Sequence, residues 1–422
     1  MTQTNKDISF ATIVPLIGGE PLGMSAALGG KHPEWVATYS PFQGNDSHYI
    51  QYLRQQGWGG DYTVIDEHDE PPVDKTPGVD VVCAVPPCAG LSSFSSKQDC
   101  SKNEWMIETA DYILGNVKPR MMWGENAPRL ASAAGAEVRG RIIETARKHG
   151  YSVTFYKTMA ERHGVAQKRP RTFYFFWDTP TAPLLRDHVR ENVGFAQQIA
   201  EPETDAAPAD DPMRFEFVNP GKPSDDPYYQ WALYCTGAKT HRELSEMNPV
   251  SMIDRAGRWN KQKEMWENYL DMAKWLEEQG WPDQRLIDRV HRMSEKLRTK
   301  GGGLWTHGLT MIAPDAVCPA FIGVQPHGLA HPTEDRFLNM REMMRMMSMP
   351  EDMQMIDAVK NFNHNCQNVC RSIAEDMAHD IVEWFNGNLE DSGTDLVIQD
   401  NGRPEKTQFL GEKVSGSLDG FM

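Results

Sequence analysis

Three short apolar runs, each adjoining a reactive or charged cluster, constrain this chain more than any other feature. Val82-Cys83-Ala84-Val85 leads into Pro86-Pro87-Cys88, and Met121-Met122-Trp123 leads into Gly124-Glu125-Asn126. Gln167-Lys168-Arg169-Pro170-Arg171 stands immediately before Thr172-Phe173-Tyr174-Phe175-Phe176. Apolar runs of this length, bounded by turn residues, read as buried strands. Helical patterns lie between them. Over 103–117, Ile107, Ala110, Leu114 and Val117 recur at helical spacing with Pro119 beyond the end; over 137–149, Val138, Ile142 and Ala146 form one stripe and Gly150 marks the stop. Strand and helix alternate up to about Asp178, which predicts an α/β fold with a parallel sheet and helices on both faces. A thiol, a carboxyl group and paired guanidiniums, each at the edge of a strand, can act together on a heteroaromatic base.

Beyond Asp178 the character changes. Residues 200–212 are acidic and proline-rich and cannot form a core. Helix is predicted over 258–279, with Trp266, Leu270 and Ala273 on one face, over the methionine-rich stretch 337–347 closed by Pro350, and over 371–385, with Ala374, Met377, Ala378, Ile381 and Phe385 as its stripe. Gly301-Gly302-Gly303 precedes Trp305, and the stretch from about Asn388 reads as a polar, disordered tail.

The chain has 422 residues, more than one ordinary domain, so a main body with a large insertion is expected. No apolar run reaches the roughly 18 residues needed to span a bilayer, and the first residues lack a signal-peptide pattern, so a soluble, cytoplasmic protein without a membrane is expected. Seven cysteines without a CxxC pair indicate neither a disulfide framework nor a metal site, His364, Cys366 and Cys370 included. The net charge of −16 argues against a general polyanion binder. Two basic islands stand out against it: nine basic residues against three acidic over 137–171, and six against two over 285–300. They fit either a nucleic-acid cleft or two solvated helix faces.

In their order and spacing these landmarks resemble the cytosine-C5 DNA methyltransferases, whose signatures include a Pro-Cys turn, a Glu-Asn pair and a Gln-x-Arg-x-Arg segment. Ile17-Gly18-Gly19-Glu20-Pro21-Leu22-Gly23-Met24 is similar to the family's N-terminal cofactor loop. Arg336-Phe337-Leu338-Asn339-Met340-Arg341-Glu342 is similar to its motif after the variable region, and Gln367-Asn368-Val369 to its final motif. The resemblance covers roughly 12–177 and 325–386. It implies a Rossmann-like methyltransferase sheet over 1–178, an inserted, smaller target-recognition domain over 179–330, a return to the catalytic domain over 331–387, and the tail from 388.

The resemblance further implies S-adenosylmethionine as cofactor, double-stranded DNA as partner, and a monomer working in a bacterial or phage-infected cell. Cys88 would be the nucleophile, Glu125 the acid on the cytosine ring, and Arg169 or Arg171 the grip on the base oxygen or a nearby phosphate. Asn126 would hold the loop. Gly18, Gly19, Gly23, Asp66, Pro86 and Asn368 would bind the cofactor. Gln167, Lys296, Arg298, Lys300 and Trp305 would face DNA. The chain departs from the family pattern at Thr12, Val14, Pro15 and Leu16, at Ala89 and Ala127, and near Tyr39-Ser40, where a ribose-binding carboxylate is customary; Asp46 could substitute for it. Those departures leave open the same chemistry on RNA or with a modified donor, and a cofactor-impaired DNA-binding homologue.

Overall fold

The computed structural model describes residues 7–40, 47–66, 68–86, 103–202, 210–247, 265–300, 309–321 and 328–411. Cys88, Asp46, Trp305 and the glycine loop at 301–303 lie outside them, as does the side chain of Lys300. The chain divides into two compact units, one comprising residues 1–192, 347–356 and 367–422, the other 193–346 and 357–366.

The first unit is built on nine strands: β1 (Phe10–Ile13), β2 (Trp35–Tyr39), β3 (Asp61–Ile65), β4 (Val81–Ala84), β5 (Met121–Asn126), β6 (Ser152–Met159), β7 (Pro170–Trp177), β8 (Leu396–Asp400) and β9 (Gln408–Phe409). They lie in the order β9-β8-β6-β7-β5-β4-β1-β2-β3. β7 runs antiparallel between β5 and β6, and β9 antiparallel to β8; the other described pairings are parallel. Helices α1 (Gly19–Ala27), α2 (His48–Gln55), α3 (Glu104–Tyr112) and α4 (Ala136–Lys148) connect the strands. The chain winds outward from β1 in one direction and from β4 in the other. Right-handed crossovers therefore put α1 and α2 on one face and α3 and α4 on the opposite face. The winding reverses between β1 and β4, where open sheets of this kind bind ligands beyond the strand ends.

The aromatic run of β7 has a packing reason. Trp123 stacks with Phe175 at 5.9 Å and Phe175 with Trp177 at 5.5 Å, all fully buried, which makes a ladder across the β5–β7 pair. Such pairs contribute about 0.5–1.5 kcal/mol each beyond their burial. Tyr174 points the other way and donates its hydroxyl to the carbonyl of Ala84, 2.9 Å away, bracing the end of β4.

The chain returns to this unit through α9 (Arg371–Phe385), the helix expected over 371–385, which packs along α1. The expectation of a disordered tail from 388 is corrected: Leu396–Asp400 is a parallel neighbour of β6, with Val397 fully buried. Three of its five residues are Leu-Val-Ile, and the acidic residues around it are tied to the body. Asp400 meets Lys157 at 2.6 Å, Asp395 meets Arg147 at 2.8 Å, and Asn401 donates to Thr158 Oγ1 at 2.9 Å.

The second unit is mainly helical. Its core gathers Tyr228, Tyr229 and Trp231 of α5 (Pro227–Thr236), Tyr269, Met272 and Leu276 of α6 (Met265–Glu278), and Ile287 and Val290 of α7 (Gln284–Lys300). The methionine-rich segment forms a shorter helix than expected, α8 (Met340–Arg345), because Asn339 caps it in a reciprocal box with Glu342 and Phe337 is taken by a bridge to Ala330. Arg336 grips Glu342 through both terminal nitrogens at 2.8 and 2.6 Å, and the fully buried Asp211 pairs with Arg341 at 2.7 Å. These pairs give the 336–342 motif a structural reason. No helix among the described residues is long and apolar enough to cross a membrane.

Placing a charge in β8 tests its role. Val397→Asp should cost about 3–5 kcal/mol, the order expected for burying an unpaired carboxylate in a core. Chemical denaturation would show it; a disordered tail would give no change.

Candidate active site

Sheet register brings together residues that are far apart in sequence. In the β5–β7 pair Glu125 lies opposite Phe173 and Asn126 opposite Thr172. Arg171, one residue earlier in β7, therefore arrives at the C-terminal end of β5, and its Nε lies 2.5 Å from Glu125 Oε1. The carboxyl is buried, whereas the Arg171 side chain keeps 19% of its surface exposed. Arg169 does different work: it is fully buried and donates from Nη2 to the carbonyl of Asn368 at 2.8 Å. Of the two guanidiniums, the structure sets Arg171 on the carboxyl and Arg169 in the framework.

Burial raises the pKa of Glu125, and the charges of Arg171 and then Arg169 oppose that rise without cancelling it. The group is thus biased toward its proton-bearing form. Asn126, fully buried, donates to Met106 Sδ at 3.1 Å and accepts from the Ala127 amide at 2.7 Å, so it fixes the turn after β5. Pro86 is buried directly after β4, in the approach to Cys88.

The glycines have a packing reason. A Cβ at Gly18 would lie 2.3 Å from the Tyr49 ring, at Gly19 1.9 Å from the Val369 carbonyl oxygen, and at Gly23 2.6 Å from the backbone of Ala374 in α9. Gly18 also has φ of 100°. The amides of Gly18 and Gly19 already donate, to Pro15 O at 2.8 Å and to Asn368 Oδ1 at 3.1 Å. The space a Cβ would need is filled by α2, α9 and the segment before α9, so the missing side chains are required for packing as well as for any close approach of a cofactor. Asn368 correspondingly holds α1 in place.

Other features do suit a bound polar group. The N-cap residues of α1, α2 and α3, helices that follow strands in sequence, make no side-chain cap hydrogen bond, although at α1 the Gly19 amide is taken by Asn368. Among the described residues, both carboxyl oxygens of Glu20, Thr38 Oγ1, Ser47 Oγ, Tyr49 OH and Asn103 Oδ1 are buried without a hydrogen-bond partner. Buried polar atoms are ordinarily satisfied, so this concentration fits a site completed by a ligand. Asp66 is exposed beyond β3 and accepts from the hydroxyl of Ser40, which follows β2. Sequence reasoning passed over Glu20, although a carboxylate directly after paired glycines was its visible signal.

The DNA-facing assignments need revision. Gln167 is fully buried, with Nε2 3.7 Å from Met347 Sδ, so it is not a surface contact here. The first basic island is largely neutralised by acids distant in sequence: Arg141 by Glu104, Lys148 by Asp111, Arg147 by Asp395 and Lys157 by Asp400. In the second island Arg298 is held by Glu295 at 2.6 Å, one turn back. Arg285, Arg289, Arg292 and Lys296 are all exposed and recur along α7 at alternating four- and three-residue steps, which puts them on one face. Arg298 lies outside that stripe.

The sequence profile of C-5 cytosine-specific DNA methylases matches residues 43–385. The chain belongs to that family. It is 32% identical over 108 residues to a candidate type II methyltransferase of Methanocaldococcus jannaschii, covering 24% of this chain and 28% of that protein. It is 30% identical over 97 residues to the type II methyltransferase M.AgeI of Thalassovita gelatinovora, covering 23% of each. The matched stretches thus span about a quarter of these curated relatives. Two solved structures share the fold. A candidate DNA modification methyltransferase encoded within an E. coli prophage superposes with a TM-score of 0.51 at 14% identity, over 90% of this chain and all of that one. A methyltransferase of Entamoeba histolytica superposes at 0.52 and 10% identity, over 91% and 99%.

The raised pKa of Glu125 has a sign. A carboxyl that holds its proton more tightly folded than unfolded favours folding at low pH, and that contribution is lost as pH rises from the ordinary carboxylate range through the raised value. Replacing Glu125 with Gln should flatten the decline in unfolding free energy over that window, as read from denaturant midpoints at a series of pH values.

Proposed function

We propose that the protein is a DNA cytosine-C5 methyltransferase that uses S-adenosylmethionine. The observation that carries this reading is the buried Glu125 carboxyl, biased toward its protonated form at a strand end and paired with Arg171, in a chain of this family. Cytosine resists attack at C5 until a nucleophile adds at C6. Cys88, which follows β4 in sequence, supplies the thiolate. As its sulfur bonds to C6, electron density moves toward N3 and C5, and Glu125 donates its proton to N3. Arg171 then stabilises the carboxylate left behind and can reach the base oxygen from the same position. S-adenosylmethionine supplies an electrophilic methyl group for C5. Loss of the C5 proton to water ejects the Cys88 sulfur as thiolate, and return of the N3 proton to the Glu125 carboxylate leaves neutral, aromatic 5-methylcytosine. Inside a duplex neither face of C5–C6 is accessible, so the target base must leave the stack.

The polar atoms left unsatisfied near the N-termini of α1, α2 and α3 fit the donor's polar groups, with Asp66 and Pro86 at the margins of that site. Asn368 serves it by fixing α1. The second unit, with the cationic stripe of α7, is the target-recognition domain in this reading, and its cations meet phosphates. The names of the relatives favour a role in modifying bacterial or phage DNA.

Bisulfite sequencing of DNA from cells expressing the protein should show methylated cytosines in a defined context. Cys88→Ala should abolish the mark, and Glu125→Gln should lower kcat by about 10²–10⁴, the range for removing a general acid. Full activity in Glu125→Gln would reject the assignment. Replacing Arg285, Arg292 and Lys296 together by alanine should weaken duplex binding and flatten its dependence on salt, whereas Arg298→Ala should leave both nearly unchanged. Salt titrations by fluorescence anisotropy distinguish the two variants.

A further inference from the structure

Glu20 is an anomaly that the proposed chemistry does not use. It sits in the first turn of α1, is fully buried, and neither of its carboxyl oxygens has a hydrogen-bond partner among the described residues. Leaving such a group unsatisfied forfeits the hydrogen bonds it makes with water in the unfolded chain, at greater cost if it is charged. Burial for its own sake is a poor reason to keep it. Its electrostatic neighbours are Glu125 at the end of β5 and Cys83 on β4, so the carboxyl lies on the strand-end side of α1. Cys83 is itself occupied, accepting from Trp123 Nε1 at 3.1 Å. Next to Glu20 the first amide of α1, that of Gly19, is held by the Asn368 side chain, and the N-cap residue Gly18 offers no side chain of its own.

We propose that Glu20 is a donor-site residue whose carboxyl faces the positively charged sulfonium end of S-adenosylmethionine. The inference rests on the donor assigned above and adds to it the group that reads the donor's charge. A sulfonium has no N–H or O–H to offer, so it satisfies a buried carboxylate through charge, and the partial positive charge at the start of α1 assists. The demethylated product, S-adenosylhomocysteine, has a neutral sulfur. A carboxylate facing that atom therefore favours the donor over its product and promotes product release.

Proton linkage follows from the surroundings. Burial, and secondarily the like charge of Glu125, raise the pKa of Glu20 well above the ordinary value in the free protein. Besides Glu125, the described ionisable group that feels the charge of Glu20 is Cys83 on β4, whose thiol is pushed up by burial. Neither is a cation. Arg169 and Arg171 stand behind Glu125. These surroundings bias Glu20 toward its neutral form when the site is empty, and an arriving cation lowers its pKa and favours release of the proton to solvent. Donor affinity should rise with pH in the window between the lowered and raised values, by up to about tenfold per pH unit for one proton released.

Calorimetric titration of the full chain with S-adenosylmethionine and with S-adenosylhomocysteine, in buffers of different ionisation enthalpy, counts the protons directly. The wild-type protein should release a proton to the buffer on binding the donor and less on binding the product. Glu20→Gln should lose that release and narrow the donor-over-product preference by about tenfold, equivalent to one pKa unit of interaction. Equal affinities and equal proton counts in wild type and Glu20→Gln would overturn the inference while leaving the donor assignment standing. If the wild-type protein binds neither compound, both fall. The melting temperatures of ligand-free Glu20→Gln and Glu20→Leu give an independent check. Removing an unsatisfied carboxyl should leave them unchanged or higher, and a fall in both would make Glu20 a structural residue and overturn the inference.

Discussion

The side chain and carbonyl of Asn368 form the joint on which the first unit depends. Its Oδ1 accepts from Gly19 at the start of α1, its carbonyl accepts from the buried Arg169, and its Nδ2 lies 3.1 Å from Met349 Sδ. Three distant parts of the chain meet at one residue. The close approach this requires is possible only because Gly19 and Gly23 present no side chain to the Val369 carbonyl and to α9. With α1 fixed, Glu20 is fixed; with Arg169 fixed, the start of β7 at Pro170 delivers Arg171 to Glu125.

The electrostatics of the site follow from that framework. Two carboxyl groups, Glu20 and Glu125, are buried near one another with guanidiniums on only one side. Burial disfavours charge on both, and Arg171 and Arg169 moderate the effect at Glu125 alone. The two acids are therefore differentiated by their surroundings. At Glu125 the guanidiniums work against the rise that burial causes, and at Glu20 the like charge of Glu125 adds to it.

Much of this was legible in the sequence, for physical reasons that vary by element. The helix at 371–385 was readable to its ends because its buried stripe is continuous, and β5 and β7 because their apolar runs are bounded by turn residues. Residues 396–400 were misread because a five-residue strand amid acidic neighbours has the local composition of a tail; only its pairing with β6 and its salt bridges reveal it. The basic island at 137–171 was left open between a nucleic-acid cleft and a solvated helix face because charge was counted along the chain, while Asp111, Glu104, Asp395 and Asp400 pair with it in space. The paired glycines were read for a cofactor, and their part in helix packing showed only once α2 and α9 were in place. Glu20 was passed over because a lone acid at a helix start is ordinarily a favourable surface charge, and nothing local in sequence reveals that this one is buried.

The position of β8 bears on how the molecule is made. Its partner β6 is complete once residue 159 has been added, yet the strand that covers β6 begins at Leu396, and α1 likewise awaits α9. During synthesis the sheet spends that interval with β6 as an unprotected edge, while the second unit is translated in between. Contacts closing such long loops form late, and an exposed edge invites pairing with other chains. The covering of β6 by β8 and of α1 by α9 thus ties completion of the first unit to synthesis of the chain's last part.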